Sequence, residues 1–237
     1  MELLTDLPAL LEETDLILSN VNDATVDVWA SPVLKGCMSS ARKLQSLQAG
    51  VRDNAPGSSY WAVPSTVHNP SDDDAGSKLF PFSLEFDSMH SATFFVLSMS
   101  ALLVIFSNMM QLYEKVQKQV NKPPPLEKIA GSRDFHIISD QTEPSAYDSP
   151  SKAAIGAEAD RLARFICQSI EYLYRVDMGI VGPQTTTFSQ SVLRRFFREH
   201  AGYERELAWT LQIKNMQGPG HRAGVELMVF QDPEPAD

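Results

Sequence analysis

Apolar positions along this 237-residue chain recur mostly at spacings of three and four, the pattern of helices with one buried face. Leu3, Leu7, Leu10, Leu11, Ile17 and Leu18 predict a first helix over 3–20, with Thr5 or Asp6 before Pro8 as its start. Val28, Trp29, Val33, Leu34, Met38, Leu44 and Leu47 predict a second over about 25–48, kinked or restarted at Pro32 and stopped by Gly50. An apolar helix spans about 88–120, bounded by Pro81 before it and Pro123-Pro124-Pro125 after it. The clearest stripe is Ile155, Ala159, Leu162, Ala163, Ile166, Ile170 and Leu173, which predicts a helix over 151–176 with Ser149-Pro150 as cap and first turn. Gly179 and Gly182-Pro183 end it, and two shorter helices follow over 189–200 and 203–216, split by Gly202. The patch Val225 to Phe230 has no clear type.

Two stretches interrupt the pattern. Residues 51–80 hold Pro56-Gly57, Pro64, Asn69-Pro70 and Gly76, and read as a long irregular connection anchored by Tyr60-Trp61. Asp72-Asp73-Asp74 within it lacks a glutamate at the twelfth position of a calcium loop, so it reads as solvated. Residues 121–150 form a second polar connection. No stretch alternates at period two for long and no fixed repeat recurs, so the expected fold is all-α: an irregular multi-helix domain with a long apolar central helix and two long loops. One helical domain over 1–230 and a disordered acidic tail over 231–237 are expected.

The apolar helix admits a second reading. From Ser88 to Tyr113 there is no Asp, Glu, Lys or Arg, which is long enough to span a bilayer, with Lys115, Lys118 and Lys122 just beyond. Thr93, Ser98, Ser100, Ser107 and Asn108 interrupt that run, and a helix central to a large helical domain is apolar all round. A buried core helix is therefore preferred over a membrane anchor.

Charge and chemistry narrow the function. Lys and Arg number 20 against 30 Asp and Glu, a net charge of −10, and phosphate backbones repel such a chain. The basic spots are small: Arg194-Arg195 with Arg198, and Lys115, Lys118 and Lys122. Cys37 and Cys167 stand far apart with no CxxC, so they read as reduced, half-buried thiols. His68, His90, His136, His200 and His221 show no i, i+3 or i+4 pairing and read as surface or capping residues. Glu12-Glu13 and Glu204 with Glu206 read as solvated helix faces, and Met99, Met109 and Met110 as core fillers. The sequence has no GxSxG, GxGxxG, GxxxxGK or HExxH, so no catalytic, cofactor-binding or metal residue is assigned. The firmest constellation is a helical trio with Tyr172, Phe196 or Phe197 and Trp209 as packing anchors.

The order of elements in that trio resembles the C-terminal regulatory region of fungal zinc binuclear cluster transcription factors, especially those of secondary-metabolite gene clusters. In that family an EA…LARxICqsxEY helix precedes a Gly-Pro turn, an aromatic and basic helix, and an Arg-Glu-Trp helix. Here these are Glu158-Ala159, Leu162 to Tyr172, Gly182-Pro183-Gln184, Phe196, and Arg205-Glu206 with Trp209. Tyr60, Leu79-Phe80-Pro81 and the helix near Ala92 to Phe106 are similar to the middle of such proteins, so the resemblance covers most of the chain. Two features depart from it. The six-cysteine zinc cluster near the family's N-terminus is absent, so the sequence starts inside the regulatory region. The usual Phe-Pro after the Gly-Pro turn is also missing, since Ser189 follows Phe188.

The resemblance implies a nuclear, non-enzymatic transcription-regulator module that controls a fungal secondary-metabolite gene cluster through protein partners, a full-length transcription factor being one. Without the resemblance the expected location is cytoplasmic. No direct nucleic-acid binding is expected from this chain alone. The alternative from another class is an enzyme or accessory protein of a fungal biosynthetic pathway with a pocket between helices. The weaker alternative is a membrane-anchored protein using 88–113.

Overall fold

The most apolar stretch of the chain becomes its central helix. The computed structural model describes residues 7–19, 26–53, 59–72, 77–120 and 151–216. Helix α1 (Leu7–Ser19), α2 (Val26–Asp53), α3 (Met89–Val120), α4 (Lys152–Leu173), α5 (Val181–Thr185), α6 (Thr187–Glu199) and α7 (Glu204–Leu211) make up an all-α domain, joined by one short hairpin, β1 (Tyr60–Pro64) and β2 (Phe82–Phe86). Helices α1, α2, α4 and α6 all pack on α3. By length and composition α3 is the one described helix apolar enough to cross a membrane, and 61% of its most apolar window is buried inside the fold. Packing against neighbouring helices on several sides accounts for its apolar sequence.

The polar residues that interrupt α3 stitch it to its neighbours. Ser88 caps its start by accepting the Ser91 N–H at 3.1 Å. Ser98 Oγ accepts from the Gln48 amide of α2 at 2.7 Å, and Ser100 Oγ donates to Ser189 Oγ of α6 at 2.8 Å. The core seam runs between Leu102, Ile105, Met109 and Leu112 of α3 and Ile155, Leu162, Ile166 and Ile170 of α4, all fully buried. Each such side chain contributes about 1.5–3 kcal/mol by leaving water.

Several boundaries differ from the sequence expectation. Helix α2 runs through Pro32 and past Gly50 to Asp53, because packing on α3 outweighs a glycine's local cost of about 1 kcal/mol. The cap of α4 is Ser151, whose Oγ accepts the Ala154 N–H at 3.2 Å, and not Ser149. The residue that turns the chain after α4 is Gly179, whose φ of 57° suits glycine alone, and Gly202 does the same before α7 at φ 92°. Gly182-Pro183, expected as a breaker, instead lies buried inside α5.

The connection over 51–80 is not wholly irregular. Tyr60–Pro64 pairs antiparallel with Phe82–Phe86, Tyr60 opposite Phe86 and Pro64 opposite Phe82. Tyr60 is wedged edge-on against Phe95 of α3 at 5.5 Å and Phe165 of α4 at 5.0 Å. Trp61, expected to share that anchoring, points outward and is 47% exposed, because successive strand residues face opposite sides. The connection over 121–150, the possible starts at Thr5 and Asp6, the patch 225–230 and the tail 231–237 lie outside the described residues.

Candidate functional site

The residues that carry the resemblance come together around α4. Glu171 Oε1 accepts both the backbone N–H and the hydroxyl of Thr66, at 2.8 and 2.7 Å, pinning the segment after β1. Its neighbour Tyr172 packs edge-on against Phe86 of β2 at 5.2 Å. Arg164, two turns back, reaches Glu206 of α7 at 3.2 Å while its Nε holds Asp160 at 3.0 Å. Trp209 packs against Phe80 at 4.8 Å, and its backbone carbonyl accepts from the Asn69 amide at 3.0 Å. Phe196 and Phe197 of α6 close on Tyr203 at 5.5 and 5.4 Å. Tyr172, Phe196, Phe197 and Trp209 are all buried, as anchors must be.

One glycine permits this assembly. A Cβ on Gly182 would fall inside contact distance of the Leu173 carbonyl oxygen and 2.7 Å from Met178 Cβ. Glycine is needed there for close approach of α5 to the end of α4, not for a special φ.

A second feature escaped the sequence reading. Asp72, expected as part of a solvated triplet, is 8% exposed and accepts the backbone N–H groups of Asn69 at 3.0 Å and Leu79 at 3.1 Å. Asn69 Oδ1 in turn accepts from the N–H and hydroxyl of Ser71. This knot holds the inter-strand connection against α7, and its Asn-Pro-Ser-Asp string is an Asx-turn signal legible in the sequence. Asp73 and Asp74 lie outside the described residues.

The titratable groups are tuned for structure. Burial pushes the Cys37 thiol up to about 11, and burial followed by the Glu206 charge raises Cys167 well above its ordinary range. Both thiols are buried rather than half-buried, and a protonated thiol is a poor nucleophile. Burial, reinforced by Asp160, also raises Tyr203. Arg175 joins Glu85 of β2 at 2.6 Å and Asp177 at 2.7 Å, which lowers Asp177. Among the described residues no three His, Cys, Asp or Glu side chains stand together as metal ligands.

The remaining sequence candidates separate. Met99 and Met109 are core, and Glu206 is buried in its ion pair whereas Glu204 is exposed. His200 Nδ1 lies 2.8 Å from the Phe196 carbonyl at the end of α6, a capping role, and His68 and His90 are exposed. Arg195 pairs with Glu199 at 2.9 Å. Lys115 donates to the carbonyls of Ile17 and Leu18 at 2.6 and 2.7 Å, capping the C-terminus of α1. His136 and His221 lie outside the described residues.

Among the described residues a broad concavity lies between α2 and α3, about 630 Å³ in volume. Leu34, Met38, Tyr113 and Val116 form an apolar floor, and Lys35 and Lys43 stand on its rim. Comparison with known protein families, curated proteins and solved structures yields no match.

Proposed function

We propose that this chain is a transcription-regulator-like helical module that works through protein contacts, in the nucleus of a fungus, on a secondary-metabolite gene cluster. The observation that carries the reading is the α2–α3 groove. An apolar floor flanked by Lys35 and Lys43 suits an acidic amphipathic helix laid in with its apolar face down. The resemblance supports the same reading. Its scattered elements, Tyr60, Phe80, Arg164, Glu171, Glu206 and Trp209, contact one another or one another's neighbours, as parts of one regulatory unit should.

The test pairs genetics with a charge reversal. Deleting the gene should lower the transcripts of the cluster, and the double variant Lys35→Glu with Lys43→Glu should reproduce that loss while the protein remains folded. A metabolite change with normal transcripts would instead make the chain an enzyme or accessory protein of the pathway. Tight, zinc-dependent binding to a DNA duplex in a gel shift would overturn the reliance on a partner.

A further inference from the structure

Helices α3 and α6 run side by side in the same direction and are clasped at two levels. Ser100 bonds Ser189 at 2.8 Å, and Gln111 donates to Glu199 at 2.7 Å. The eleven-residue interval on α3 is about 16 Å of helix. Between the clasps the two helices leave a cleft of about 270 Å³, with Leu11 of α1 contributing a third wall.

The walls are mainly apolar, Ala101 and Val104 of α3 facing Val192 and Phe196 of α6. Two polar side chains break that surface. Asn108 is 5% exposed and Ser107 is 8% exposed, both line the cleft, and neither side chain has a hydrogen-bond partner among the described residues. Neither contributes a fully buried unpaired polar atom, so in the free protein the amide and the hydroxyl meet water in the cleft, and an occupant must replace those water contacts. The charge at the mouth is already matched, since Arg195 is held by Glu199 at 2.9 Å and the other Glu199 oxygen takes Gln111.

We infer that this cleft is a small-molecule site for a compact, uncharged aromatic ligand bearing a carbonyl or hydroxyl group. The volume lies just below the ~300 Å³ at which drug-sized ligands begin to fit, which selects a molecule on the order of a dozen heavy atoms. The apolar walls take the ring. The Asn108 side chain offers both a donor and an acceptor, and the Ser107 hydroxyl offers either, so a carboxamide or phenol satisfies them while a hydrocarbon does not. The matched Arg195–Glu199 pair gives no net charge to attract an ion. This site is independent of the α2–α3 groove and of any partner seated there.

The experiment titrates the full chain with benzamide, with ethylbenzene as the apolar control, reading methyl resonances of Val104 and Val192 and the melting temperature. Wild type should show saturable shifts at those methyls with benzamide, with a dissociation constant on the order of 1 mM or tighter, and at least tenfold weaker binding of ethylbenzene. Asn108→Leu should keep the fold and abolish the preference for benzamide. Ser107→Ala should keep the fold and weaken benzamide severalfold. Two results would overturn the inference: no saturable shift at Val104 and Val192, or an unchanged benzamide preference in Asn108→Leu.

Discussion

Replacing Gly182 by alanine tests the account of how α5 seats on the end of α4. The added methyl would sit 2.7 Å from Met178 Cβ and 3.1 Å from the Leu173 carbonyl carbon, with the carbonyl oxygen closer still. Leu173 is fully buried and cannot yield, so α5 must move by about an ångström and carry Thr186 and the start of α6 with it. Overpacking of this kind costs about 1–3 kcal/mol or more, and alanine returns at most about 1 kcal/mol of helix propensity. A backbone obstacle puts the variant at the upper end, a net loss of about 2–3 kcal/mol. For a domain of this size that lowers the melting temperature by about 4–12 °C. Gly50→Ala in α2 is the internal control, since its methyl meets nothing within 4 Å, and it should be neutral or stabilising by up to about 1 kcal/mol. Thermal unfolding followed by circular dichroism reads both. A Gly182→Ala protein that melts with wild type would refute the close approach and, with it, the packed unit built on α4.

Three further outcomes are expected. Asp72→Ala should destabilise by about 3 kcal/mol in urea unfolding, because the Asn69 and Leu79 N–H groups lose their acceptor, and Asp72→Asn should cost less since one oxygen remains. The thiols set an alkaline limit: their folded pKa values lie above the ordinary 9.0, so their contribution is complete below about pH 9 and is lost as pH rises above it, toward about 11 for Cys37, with a slope of up to about 1.4 kcal/mol per pH unit for each thiol. Cys37→Ala should flatten that decline, and an identical slope in the variant would count against the burial argument. Lys115→Met should leave the apolar stem in place but uncap α1, costing about 1 kcal/mol and speeding amide exchange in Leu7–Ser19 without touching α4.

The pattern of apolar residues by itself determined the all-helical architecture, the position of α3 at its centre and the buried stripe of α4, because a 3.6-residue period records which face leaves water. It also marked Tyr172, Trp209 and one of Phe196 and Phe197 as anchors, since large aromatics are seldom placed without a core to enter, and both phenylalanines are buried. The hairpin was within reach: Phe82-Ser83-Leu84-Glu85-Phe86 alternates, but five residues are too few to stand against a helical background. Only the tertiary structure decided which polar residues are buried and what each meets. Asp72 looks solvated beside two more aspartates until the inter-strand connection folds over it and Asn69 reaches Trp209, 140 residues away. Asn108 looks like one more interruption of an apolar helix until α6, placed 80 residues on by a different segment, walls the cleft in front of it. Periodicity reports burial averaged along one element. Hydrogen-bond partners and cavities arise between elements, and no local pattern encodes them.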